Sequence, residues 1–174
     1  MQNLNIRELI AKIPKLKAGD SISLSGTVYT ARDAAHRRFA ELDEQGKPLP
    51  VELEDAVIYY CGPCPAKPGE AIGSCGPTTS SRMDPLTPLM LSKGVKAFIG
   101  KGPRSKETRE AMAKSGAVYL AATGGVGALL SRKVRKAEVV AFPELGPEAV
   151  YKLEVLDFPL IVAFDTNGGD VFKI

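Results

Sequence analysis

Short apolar runs alternate with amphipathic ones along most of this chain, and that alternation limits its possible folds more than any other feature. Ser21 to Tyr29 alternates small polar and apolar residues, the period of a half-buried strand. Ala56 to Tyr60 is apolar, β-branched and aromatic, and Val95 to Ile99 and Ala117 to Ala121 read alike. Between them, Arg32 to Leu42 and Lys106 to Ser115 carry a helical pattern, and residues 4–13 fit a short amphipathic helix before Pro14. Glu70 to Ser74 and Glu138 to Phe142 read as strands, Pro147 to Val155 as a helix, and Leu160 to Phe164 as a buried strand. Gly124-Gly125 opens a small-residue helix to about Ser131, and Asn167-Gly168-Gly169 reads as a hairpin turn before a last strand at Val171-Phe172. Hairpin-like pairs mixed with strand–helix alternation predict an α/β fold with a mixed sheet.

At 174 residues and 44% hydrophobic, the expectation is one domain over residues 1–174 with a true core. A net charge of +3, 6% aromatics and no Trp argue against a nucleic-acid platform, which needs a concentrated basic face with stacking rings. Met1 to Pro14 carries charges throughout and has no apolar segment of signal-peptide type. No run approaches a membrane span, because Ser115 to Ser131, the longest uncharged stretch, is broken by glycines. These features lead to a cytoplasmic expectation. Three cysteines, an odd number, do not make a disulfide framework in such a chain.

Four constellations carry possible chemistry. Gly76-Pro77-Thr78-Thr79-Ser80-Ser81-Arg82-Met83-Asp84 follows a strand-like run and enters a helix-like one running to Ser92, with Pro85 and Pro88 limiting its first turns. Free N–H groups at such a helix start make an anion site, and four hydroxyls beside an arginine exceed what an N-cap needs. Arg32-Asp33-x-x-His36 opens a predicted helix, with Arg32 and His36 four apart on one face. Asp33 suits a helix start, but a positive charge there is unfavourable, so Arg32 is expected to point at an anion. Gly100-Lys101-Gly102 follows a strand, and its glycines let the backbone turn and present the lysine. It lacks the spacing of a nucleotide-binding loop, and Gly124-Gly125-Val126-Gly127 is too short for a dinucleotide fingerprint. Cys61-Gly62-Pro63-Cys64 with Cys75 suggests a thiol-redox pair, half a metal site, or three cluster ligands. Against this, Pro65 and Pro68 follow closely where a redox pair opens a helix, and His36 is the only histidine to complete a zinc site.

The Gly-Pro-Thr-Thr segment, Tyr29 to His36, Ile99 to Gly102, Glu144-Leu145-Gly146 and Glu154 through Asp170 occur together in one order. In this the chain resembles the beta subunit, or C-terminal domain, of class I iron–sulfur fumarases and the related tartrate dehydratases, over nearly its whole length. The resemblance implies a swivelling β/β/α-type domain with a covering helical layer, and reversible hydration of fumarate to malate. It implies a [4Fe–4S] cluster held by cysteines of a separate alpha subunit, in a hetero-oligomer, with no metal on this chain. It makes Arg32, Arg82 and Lys101, with Thr79, ligands of a dicarboxylate substrate, Asp33 and His36 supporting residues, and Thr78 the group that takes the C3 proton of malate. In the family motif the spacing to Arg82 selects Thr78 over Thr79, and Met83-Asp84 after the arginine resembles the fumarase pattern more than the tartrate dehydratase one. A reading of another class, a small C-x-x-C thiol-redox or metal-binding module, stays open beside it.

Overall fold

A computed structural model describes residues 1–122 and 126–173. The predicted helix start at Gly124-Gly125, which is also the first half of the Gly-Gly-Val-Gly segment, lies outside the described residues.

The parallel strands β2 (Ser21–Thr30), β3 (Val57–Tyr59), β4 (Ala97–Gly100) and β5 (Val118–Ala121) lie side by side in that order. The long strand β7 (Val150–Phe164) runs antiparallel to both β5 and β2, and so closes these five strands into a ring. β1 (Gln2–Asn5) adds to β2 in parallel, and β6 (Val134–Ala141) adds to β7 in antiparallel register. The α/β expectation with a mixed sheet therefore holds.

The two faces of the strands belong to two cores, as a two-residue side-chain period requires. Val57 and Tyr59, Ala97 and Ile99, Val118 and Leu120 turn into the ring, where they meet Leu24, Val28, Leu153 and Val162. Ile58, Phe98 and Tyr119 turn outwards, under a helical layer that contributes Phe39, Met90 and Met112. That layer is α2 (Asp33–Glu44), α3 (Thr87–Ser92) and α4 (Lys106–Lys114). α1 (Ile6–Lys12) begins with a capping box between Asn5 and Glu8, and packs Leu9 and the following Ile13 into the inner core. α5 (Gly127–Ser131) is a single short turn. Among the described residues, no helix is long and apolar enough to cross a membrane.

Four expectations are corrected. Pro147 to Val155 is not helical: a 3₁₀ segment, Pro143–Glu148, gives way to β7 at Val150. Its Leu153 and Val155 enter the inner core while β2 and β6 supply hydrogen-bonding edges, so tertiary pairing overrides helix formers. Glu70 to Ser74 forms no strand: Glu70 N–H closes a turn onto Lys67 C=O at 3.0 Å, and the rest is tied to Cys64, by Cys64 N–H to Ser74 C=O at 2.9 Å and Gly73 N–H to Cys64 C=O at 3.1 Å. Pro65 and Pro68 remove donors that a ladder would need. The last strand reduces to one bridge between Phe164 and Asp170, and the helix expected over residues 4–13 begins only at Ile6, because Leu4 and Asn5 belong to β1.

Candidate active site at the carboxyl ends of the parallel strands

β2, β3 and β4 all release the chain at the same edge of the ring, the edge where folds of this kind gather ligands. Arg32 follows β2, Cys61-Gly62 follows β3, and Lys101 follows β4. The Gly76–Ser80 segment is laid across these ends by main-chain bonds. Thr78 N–H donates to Tyr60 C=O at 2.8 Å and Ser80 N–H to Lys101 C=O at 3.1 Å, while Tyr59 Oη donates to Cys75 C=O. Thr79 and Lys101 form a parallel bridge.

The helix after this segment starts as a 3₁₀ turn, Ser80–Leu86, and becomes α3 only at Thr87, as Pro85 and Pro88 demand. Thr79 stands at its N-cap and makes no side-chain cap bond. The anion site expected at this helix start is therefore not a bare helix end, because the Ser80 N–H is already used by Lys101. What the segment presents is side chains. Arg82 Nη2 donates to Thr78 Oγ1 at 3.0 Å and pairs with Asp33 Oδ2 at 3.2 Å. A guanidinium donating to a hydroxyl oxygen favours that oxygen as an anion, and Asp33 fixes the guanidinium from the start of α2.

Arg32 lies just outside α2, in extended conformation, so it does not share a helical face with His36 as its spacing suggests. Its side chain crosses to Glu148, with Nε 3.9 Å from Oε1, and lies against Gly62. That distance is an ion pair without a hydrogen bond, and Nε keeps no hydrogen-bond partner. Glu148 supplies the cap that Arg32 does not, accepting from Ala34 N–H at 3.2 Å. His36 is wholly buried behind the site. Its Nδ1 donates to the Arg32 carbonyl at 2.7 Å, which assigns the tautomer, and burial lowers its pKa to about 4, so it stays neutral.

Thr78, Arg82 and Asp33 thus form one cluster, and Lys101 joins it through Thr79. Arg32 stands beside Asp33 in the chain with its side chain turned towards Glu148, and His36 acts only through the backbone. The group forms an open face, with 48% of the Arg82 side chain exposed. A cleft of about 500 Å³ lined by Arg7, Tyr29, Glu52 and Lys152 lies elsewhere and shares none of these residues.

The cysteines divide. Cys61 and Cys75 are buried in the inner core and Cys64 is exposed on its loop. A hydrogen bond to Cys75, and then burial, push the Cys61 thiol up, away from the thiolate a redox pair needs. Among the described residues, no group of three or more His, Cys, Asp or Glu side chains is arranged to hold a metal ion.

Tyr119 and Arg104 escape the sequence reading, and Ser80 enters it only as one of four hydroxyls. Ser80 and Tyr119 are buried behind Lys101, and Arg104 is buried with them. The Arg104 Nε pairs with Asp84 Oδ1 at 2.5 Å, its Nη2 donates to Thr87 Oγ1 at 2.7 Å, and its guanidinium lies over Tyr60, Phe98 and Tyr119. Only Ser80 gave a signal, as a third hydroxyl in its segment.

Residues 1–174 match the family model described as Fumarase C-terminus. The chain is 39% identical over 173 residues to "Fumarate hydratase class I, anaerobic" of Escherichia coli (strain K12), a match covering 98% of this chain and 32% of that protein. It is 40% identical over 170 residues to "Fumarate hydratase 2" of Leishmania major, covering 97% of this chain and 29% of that one. Against "Putative L(+)-tartrate dehydratase subunit beta" of Methanocaldococcus jannaschii it is 41% identical over 167 residues, covering 92% and 86%. The chain spans about a third of the fumarate hydratases it matches and most of the tartrate dehydratase subunit. With its full length matched and its strand-end residues gathered on one face, this chain belongs to the fumarase C-terminus family.

Proposed function

We propose that this chain is the beta subunit of a two-subunit iron–sulfur hydro-lyase that interconverts fumarate and malate, in the cytosol, and that it supplies the carboxylate-binding and proton-transfer half of the site. The observation that carries the reading is Thr78 Oγ1 held by Arg82 on an open face. An exposed hydroxyl is a poor base, and a face open to water gains little from its charges. A second wall is needed, and the relative whose name ends in "subunit beta" supports a separate chain as its source.

A [4Fe–4S] cluster does not fit this chain's own thiols, since two are sealed in the core and the third is far outside it in exposure. The cluster is assigned to the alpha subunit, and what happens at the hydroxyl-bearing carbon belongs there. Here, Arg32, Arg82 and Lys101 hold the two carboxylates of a C4 acid, the arginines by fork geometry and Lys101 as a point charge. Thr79 stands beside Lys101 and borders the same carboxylate. A carboxylate of the partner takes the proton of the Thr78 hydroxyl, Arg82 stabilises the oxygen anion left behind, and that oxygen takes the C3 proton and becomes a hydroxyl again. Asp33 holds Arg82 to this task, and His36 holds the Arg32 main chain.

A second reading, tartrate as substrate, is supported by the Methanocaldococcus relative. Assaying the reconstituted complex on malate and on tartrate separates the two. The test of the mechanism is Thr78→Ala in that complex. Turnover on malate should fall by roughly a hundredfold to ten-thousandfold with KM little changed, as expected of a group acting in the transition state. Thr79→Ala should change KM more than turnover. If Thr78→Ala still exchanges the C3 proton into deuterated water at the wild-type rate, the base lies on the partner.

A further inference from the structure

We infer that Ser80 and Tyr119 are positioning residues for Lys101, forming a hydroxyl clip that fixes the lysine's main chain against Thr78-Thr79. The inference rests on Lys101 being a substrate ligand. Ser80 is 0% exposed and Tyr119 is 1% exposed, yet both place hydroxyls at one exposed turn. The Gly102 carbonyl only accepts, so the single Tyr119 proton is assigned to it, at 2.8 Å. The Ser80 hydroxyl then donates to the Tyr119 oxygen at 2.9 Å. Ser80 Oγ in turn accepts the Lys101 N–H at 3.1 Å. The bonds run one way from Lys101 N–H to Gly102 C=O, so each polarises the next. Ser80 N–H to Lys101 C=O, at 3.1 Å, completes the hold on the lysine.

The glycines fit this clip. A Cβ at Gly100 would collide with Ser80 Oγ, so the hydroxyl occupies the space a side chain would take. Gly102 adopts φ +78°, a conformation that bulkier residues resist. The Arg104 guanidinium lies 5.3 Å from the centre of the Tyr119 ring and backs it from the core. An ordinary surface lysine needs none of this. A lysine whose Nζ must reach one carboxylate oxygen does, because any drift of its main chain is carried to the far end of its long stem.

The test is a mutant cycle in the reconstituted complex, with malate kinetics and amide hydrogen exchange. Tyr119→Phe should raise KM about tenfold with turnover near wild type, the pattern of lost ground-state binding. Ser80→Ala breaks the clip at another bond and should do the same. Adding Tyr119→Phe to Lys101→Ala should change KM no further, because the hydroxyls act only through the lysine. Exchange at the Lys101 amide should quicken in Tyr119→Phe while the amides of β4 stay protected. Unchanged KM in both single variants, effects that multiply with Lys101→Ala, or loss of the fold in both overturns the inference. If Lys101→Ala itself leaves KM unchanged, the substrate role of the lysine fails, and the exchange data still report on the clip.

Discussion

His36 shows how a side chain with no access to solvent shapes a candidate site. Its ring carries Nδ1–H to the Arg32 carbonyl at 2.7 Å, and the same carbonyl accepts the His36 main-chain N–H at 3.0 Å. The residue that launches Arg32 is thereby pinned twice. Burial holds the histidine neutral, with its pKa lowered from 6.5 to about 4. An unfolded chain therefore binds this proton before the folded one does as pH falls. The contribution to stability is whole above about pH 6.5 and is lost on acidification towards pH 4, at about 1.4 kcal/mol per unit, or about 3 kcal/mol in all. His36→Asn retains a donor for the Arg32 carbonyl but has no proton to gain. Urea unfolding at several pH values should show a shallower loss between pH 6.5 and 4 for the variant. Parallel curves would mean that other groups govern acid unfolding.

At the scale of elements, the 3₁₀ turn before α3 is joined to the turn before α4 by Arg104. Its side chain has 0% exposure and pairs with Asp84 at 12%, while Ser105 N–H donates to the other Asp84 oxygen at 2.8 Å. Arg104→Ala strands a largely buried carboxylate, and the fold should lose about 3–5 kcal/mol in denaturant unfolding. Adding Asp84→Ala should return part of it; a double variant no better than the single would place the cost in lost ring stacking instead. This junction was illegible in the sequence, where Pro103-Arg104-Ser105 looks like any turn. Local patterning revealed β3, β4 and β5 as short apolar runs, buried on both faces, and β2, α2 and α4 by their alternating or helical spacing. It failed where partners decide: β7 begins among helix formers and is made a strand by β2 and β6, and Arg135 and Lys136 disguise the first half of β6. At the site, Thr78, Arg82, Asp33 and Lys101 were legible as residue types at turns. The direction of Arg32, set by Glu148, and the hydroxyls behind Lys101 were not, because distant chain segments create them.

Across the whole molecule, closure of the ring depends on β7, which touches β2, β5 and β6 along its 15 residues. The contacts that close it are remote in sequence: Thr27 and Glu154 are bonded 127 positions apart, and the Ala18 N–H reaches Asp165 across 147. Refolding should accordingly take on the order of milliseconds to seconds, the range of folds dominated by non-local pairing. Stopped-flow fluorescence of the tyrosines reads it, and refolding in microseconds would count against closure as the slow event. The same feature orders events during synthesis. A nascent chain halted before residue 150 has its parallel strands and all of the described helices, but β2 and β5 each offer an open edge and the inner core lacks its fifth wall. Such edges invite pairing with a neighbouring polypeptide. Until β7 leaves the ribosome, the incomplete ring is therefore a client for chaperones, and a premature stop before residue 150 yields an aggregating product rather than a merely weakened fold.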